Sequence, residues 1–106
     1  MSRQAILQKV IEKTREIFPQ VERLLLFGSQ ARGDAREDSD YDLLVVTPLP
    51  EGARNRAVPL YLALWGLGAS FDIIVKTPAE FAEFCASDGY WQRTIVQESM
   101  VLHEAA

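Results

Sequence analysis

The chain has 106 residues, 48% of them apolar and 25% charged, which suits one globular domain and excludes a disordered or fibrous protein. A net charge of -4 and an isoelectric point near 4.9 exclude a surface that binds nucleic acid directly by neutralising phosphates, while leaving room for a nucleotide held through metal ions. Cys85 is the only cysteine, so no internal disulfide or thiolate cluster forms, and no stretch approaches the ~20 apolar residues of a membrane span; the default location is the cytoplasm.

Ile6, Leu7, Val10, Ile11, Ile17 and Phe18 recur at three- and four-residue steps with charges between them, which predicts an amphipathic helix over about 3–17, ended by Pro19. ERLLLF, 22–27, predicts a buried strand that stops at Gly28. Ser29 to Arg32 then reads as a short helix with Gly33 as its C-terminal stop. YDLLVV, 41–46, predicts a second strand ending at Pro48. Residues 51–68 predict a helix with Pro59 near its start or at a kink. FDIIV, 71–75, predicts a third strand. Thr77-Pro78-Ala79-Glu80 fits a capping box that opens a helix to about 86. Ser87 or Asp88 is placed to cap a last helix to about 99, and VLHE, 101–104, to form a terminal edge strand. The sum is a single domain over 1–106 of α/β class, a small mixed sheet covered by helices, with strands apolar enough on both faces to suit central positions. Cys85 is expected to be a small buried apolar residue.

Against that background the aspartates stand out. Side chains alternate along a strand, so Asp40 and Asp42 project to one side while Tyr41 and Leu43 project to the other. Asp72 follows the first residue of its strand as Asp42 does, which allows the two to lie level on neighbouring strands. Three ionised carboxylates within about 4 Å would repel by roughly 4 kcal/mol per pair at an effective dielectric near 20. A divalent cation removes that cost, and hard oxygen donors on a partly open site favour magnesium or manganese. Gly28 lets a ligand approach the backbone, and Ser29 with the first amides of the short helix offers donors to an anion. The competing reading of each part alone is a turn at Gly-Ser and a solvated strand entry or cap at the aspartates.

The run Gly28, Ser29, Ala31, Arg32, Gly33, Ser39, Asp40, Asp42 and Leu43 resembles the signature of the DNA polymerase beta-like nucleotidyltransferase superfamily, and most closely its minimal nucleotidyltransferase (MNT) members, with Asp72 as the third carboxylate. The resemblance implies a polymerase beta palm-like fold. It further implies that Asp40 and Asp42 hold two Mg2+ ions, that Asp72 ligands one of them and helps deprotonate an attacking hydroxyl, and that Gly28 and Ser29 position the triphosphate of ATP. Arg32 joins the nucleotide-binding set, against a surface ion pair with Asp34, Glu37 or Asp38 as the simpler alternative. Such proteins are typically antitoxins that transfer AMP to a tyrosine hydroxyl of a partner HEPN-domain RNase toxin, which implies a hetero-oligomer with that toxin.

Two other functions compete: an antitoxin that masks its partner without chemistry, and a nucleotidyltransferase acting on a small-molecule hydroxyl, which the lack of a second enclosing domain disfavours. Lys76 shares the Asp72 face but lies ~13 Å further along the strand, too far to assist directly, and is expected to be exposed. His103 is given no catalytic role. The apolar groups of the third helix, Tyr61 and Trp65 among them, are divided between core burial and a docking surface for the toxin or a second copy; Tyr90 and Trp91 raise the same question.

Overall fold

The computed structural model describes residues 1–36, 39–86, 89, 92, 95 and 97–105. In chain order they form α1 (Arg3–Ile17), β1 (Arg23–Phe27), α2 (Ser29–Arg32), β2 (Tyr41–Val46), α3 (Val58–Ala63), β3 (Phe71–Lys76), α4 (Pro78–Ala86) and β4 (Met100–Glu104). Helical geometry also occurs at residues 92, 95, 97 and 98, but the caps expected for that helix, Ser87 and Asp88, and the aromatics Tyr90 and Trp91 lie outside the described residues.

The four strands order as β3-β2-β1-β4. β1 runs antiparallel to β2 and β4, whereas β2 and β3 are parallel, with the crossover between them carrying α3. Alternation along the strands divides the core between the two faces of this mixed sheet. Leu24, Leu26, Leu43, Val45, Ile73 and Val75 pack with Ile6, Leu7 and Val10 of α1 and with Leu60 and Leu64. On the other face Leu25, Phe27 and Leu44 pack with Ile95, and Phe81 and Phe84 of α4 lie against them. β1 and β2 are therefore apolar on both faces, as central strands must be.

Three expectations change. The helix predicted over 51–68 is confined to Val58–Ala63, because the chain takes left-handed backbone at Asn55 before it and at Gly66 after it, and neither can continue a right-handed helix. The apolar run hides this: Leu60 and Leu64 are fully buried and Ala57 and Leu67 pack partly against the core, while Val58, Tyr61, Leu62 and Trp65 are exposed. β3 is an edge strand rather than a central one. Two of its outward backbone groups are nevertheless occupied: the Ile73 N–H donates to the Tyr61 hydroxyl at 2.9 Å and Arg56 Nη1 donates to the Val75 carbonyl at 3.3 Å. Cys85, expected inside, is exposed on α4, a helix with no fully buried residue.

The capping box forms as read. The Thr77 N–H donates to Glu80 Oε1 at 2.8 Å, and the Glu80 N–H donates to Thr77 Oγ1 at 3.2 Å. Arg56 adds a guanidinium to the same carboxylate oxygen. That hydrogen bond, followed by the one from Thr77, holds the Glu80 carboxyl down at about 2 against an ordinary 4.5. A carboxyl with a depressed native pKa contributes stability above its unfolded value and loses it as pH falls through the native one. Glu80→Gln is expected to lower the thermal midpoint at pH 7, with the gap from wild type closing between pH 4.5 and about 2. A gap that stays constant over that range would show the carboxylate to be unimportant.

Candidate functional site

β1 runs out at Phe27, whose register partner across the sheet is Asp42. The next residue, Gly28, takes φ 72° and ψ -157°, a conformation essentially restricted to glycine. Space imposes the same restriction: a Cβ at Gly28 would overlap Asp42 Oδ2. Glycine is thus required twice, once to turn the strand into α2 and once to let a carboxylate lie on the backbone. α2 is a single turn, in which the Ala31 and Arg32 N–H groups both donate to the Gly28 carbonyl at 3.1 Å, and Gly33 closes it with left-handed backbone. The amides of Ser29 and Gln30, the first of the turn, have no helical carbonyl behind them.

Asp42 and Asp72 are direct register partners in the parallel β2–β3 pair. The residues just before them, Tyr41 and Phe71, are partners as well, and their rings meet on the opposite face of the sheet with centroids 5.7 Å apart. An aromatic pair behind the sheet and a carboxylate pair in front of it therefore fix the same register. Asp42 is half-buried and Asp72 exposed. Asp40 sits one residue before β2, exposed, in the loop that returns from α2.

The Asp42 carboxyl titrates above its ordinary value, first because burial disfavours its charge and then because Asp72 and Asp40 repel it; Arg32 opposes the rise. The structure brings Asp42 and Asp72 together by register and sets Asp40 within electrostatic reach. Among the described residues no three histidine, cysteine or carboxylate side chains are already gathered closely enough to form a metal cage. The carboxylates also stand outside the cleft of about 1240 Å³ that opens beside Tyr41 and Phe71. The group lies on an open surface.

Arg32 is exposed and ion-paired, 3.4 Å from Asp34 and 3.5 Å from Glu98. The expected surface pairing with Asp34 is realised, while Glu37 and Asp38 lie outside the described residues. Lys76 reaches over the Phe84 ring at 5.2 Å, a cation–π contact rather than the free exposure expected for it. His103 lies in β4 beside Leu24, remote from the carboxylates in the sheet. Sequence reasoning missed Gln30 and Arg3. Gln30 is 5% exposed and hydrogen-bonds both to Arg3 and to the Ser39 carbonyl, immediately before Asp40. A glutamine inside a turn carries no periodic signal, and its arginine partner is 27 residues away.

Comparison with known proteins identifies the family. No curated protein matches the chain. A solved structure assigned as a minimal nucleotidyltransferase is 31% identical, covering 92% of this chain and 89% of its own, with a TM-score of 0.61. A chain from the complex of the tri-AMPylated Shewanella oneidensis HEPN toxin with its MNT antitoxin is 18% identical over 98% of this chain and 74% of its own, with a TM-score of 0.65. Another, from a toxin–antitoxin structure with AMP-PNP, is 22% identical over 93% of this chain and 73% of its own, with a TM-score of 0.63. The last two likenesses establish the fold. Residues 7–100 match the nucleotidyltransferase domain family as one continuous stretch containing the Gly28 turn and all three aspartates, and the chain belongs to that family.

Proposed function

We propose that this protein is a magnesium-dependent adenylyltransferase of the antitoxin type, moving AMP from ATP to a tyrosine hydroxyl on a HEPN-type toxin. The observation that carries the reading is the Asp42–Asp72 register pair, with the Asp42 carboxylate lying against the Gly28 backbone where a Cβ would otherwise stand. The likeness in fold to the Shewanella oneidensis complex and to the toxin–antitoxin structure with AMP-PNP supports the choice of nucleotide and partner.

The donor set fits magnesium in kind. Asp40, Asp42 and Asp72 supply hard oxygens on a surface open enough for water and phosphate ligands. Burial first and then the repulsion of Asp72 and Asp40 raise the Asp42 carboxyl, and a dication would offset both. When bound, magnesium would neutralise charge developing on the entering and leaving oxygens of an in-line displacement. The chain's own part is placement. Gly28 and Ser29 receive the phosphates against backbone and hydroxyl donors, and Asp72 takes the proton from the incoming hydroxyl. The hydroxyl oxygen bonds to the α-phosphorus as the bond from that phosphorus to the bridging oxygen breaks, and pyrophosphate leaves. An acceptor on another protein suits a site on an open surface.

The test mixes the protein, its cognate toxin, labelled ATP and magnesium. Asp40→Asn and Asp42→Asn are each expected to reduce label transfer at least about 100-fold, because several kcal/mol of charge stabilisation would be lost with the ion. Transfer at the wild-type rate by either variant would refute the assigned site.

A second reading, inhibition by masking, is favoured by one observation. Val58, Tyr61, Leu62 and Trp65 fall at helical spacing along and just beyond α3, and Leu62 and Trp65 are 70% and 87% exposed. Leu62→Glu with Trp65→Glu is expected to leave the fold intact and to weaken association with the toxin. Toxin neutralisation that survives Asp40→Asn with Asp42→Asn but is lost with the α3 pair would favour masking over transfer.

The site should also oppose stability in the absence of metal. A carboxyl whose native pKa is raised costs stability once pH exceeds that value, and the cost disappears as pH falls toward the unfolded 3.8. Asp42→Asn is therefore expected to raise the thermal midpoint of the metal-free protein at pH 7, with the gain vanishing near pH 3.8, and to reduce the midpoint increase produced by magnesium with ATP. A variant less stable than wild type at pH 7 would contradict this.

A further inference from the structure

We propose that Gln30 is a positioning residue for Asp40, holding that carboxylate at the site through the Ser39–Asp40 peptide. The inference rests on reading the aspartates as a metal-binding centre and adds to it a residue that does not itself touch metal or nucleotide.

Asp40 is the one carboxylate of the three that is not in a strand, so the β ladder does not fix it. Two hydrogen bonds flank it instead. After it, the Tyr41 N–H donates to the Ser70 carbonyl at 2.9 Å. Before it, the Ser39 carbonyl, which belongs to the same peptide unit as the Asp40 N–H, accepts from Gln30 Nε2 at 3.3 Å. Ser39 also closes its own loop: its N–H donates to the Arg36 carbonyl at 3.0 Å, and its hydroxyl accepts from the Arg36 N–H at 2.8 Å. The Gln30 amide is thus the tie between the loop carrying Asp40 and the turn built on Gly28.

The orientation of that amide is dictated by chemistry. Arg3 Nε donates to Gln30 Oε1 at 3.2 Å, and Arg3 Nη2 donates to the Gln30 carbonyl at 2.7 Å. A guanidinium only donates, so the oxygen of the amide must face Arg3 and the NH2 must face Ser39. Burial makes the arrangement costly to break, since an unpaired polar group inside costs about 1–3 kcal/mol. Arg3, from the first turn of α1, therefore aims Gln30, and Gln30 holds the peptide of Asp40.

Residues that orient metal ligands from behind typically cost 10–100-fold in metal affinity or activity when replaced. Gln30→Glu keeps the size of the side chain and an acceptor for Arg3 but puts an acceptor where Ser39 needs a donor. Binding of Mn2+ in the presence of a non-hydrolysable ATP analogue, followed by electron paramagnetic resonance, reads the site without turnover. Gln30→Glu is expected to weaken Mn2+ binding about 10-fold or more, and Arg3→Ala, which leaves the donor in place but no longer aims it, by a smaller but measurable factor. In an Asp40→Asn background neither change should have a further effect, because residues acting through one ligand are not additive. Wild-type Mn2+ affinity in either variant, or effects that add to Asp40→Asn, would overturn the proposal while leaving the metal centre standing. Should Gln30→Glu fail to fold, Arg3→Ala carries the same double-mutant test alone. No Mn2+ binding by the wild-type protein would reject the metal centre itself and the proposal with it.

Discussion

The parallel register between β2 and β3 is the constraint on which the site depends. Because side chains at paired positions of a parallel ladder emerge side by side, Asp42 opposite Asp72 forces two carboxylates together. Asp42 is also half-buried, a placement that natural cores avoid unless the charge has a partner. Apolar packing compels the arrangement from behind: the Tyr41 and Phe71 rings meet at a tilt in the same register, and Leu43, Val45, Ile73 and Val75 lock it beneath α1 and α3. A slip of one residue would turn the aspartates inward and the leucines and valines out. The core thus holds in place an electrostatic cost that it would relax if it were free to.

The fold also protects the strand that carries the second carboxylate. β3 is an edge, and an edge strand invites pairing with other chains. Tyr61 and Arg56, on the crossover from β2, cover its outer N–H and carbonyl groups at Ile73 and Val75, and Arg56 continues into the capping box that starts α4. One crossover therefore makes the parallel pairing, covers two outward groups of its edge and helps start the next helix.

Most of this was legible in the sequence because the informative residues lie at element ends. Asp42 and Asp72 each follow one residue into an apolar run, which gave their common level; Gly28 closed a strand and Gly33 a turn; Thr77 and Glu80 announced their helix. The failures have physical causes. The helix expected over 51–68 was overextended because exposed Leu62 and Trp65 look like core residues to any count of apolar positions, and the left-handed backbone at Asn55 leaves little mark in composition. β3 looked central because its sequence is apolar, while its protection comes from polar groups elsewhere in the chain. Cys85 departs from the habit of its residue type because a helix lying over one sheet face leaves positions that burial does not reach. Gln30 was invisible because its role is a set of hydrogen bonds between segments that only the folded chain brings together.

The account stands on a cation being drawn to the carboxylates rather than to any other acidic part of this acidic chain. Crystals grown with Mn2+ and a non-hydrolysable ATP analogue, measured at the manganese absorption edge, locate that ion directly. An anomalous peak between Asp42 and Asp72, with the triphosphate against Gly28 and Ser29, is the expected result. Manganese bound elsewhere, with the Asp42–Asp72 pair left bare beside an ordered nucleotide, would contradict it.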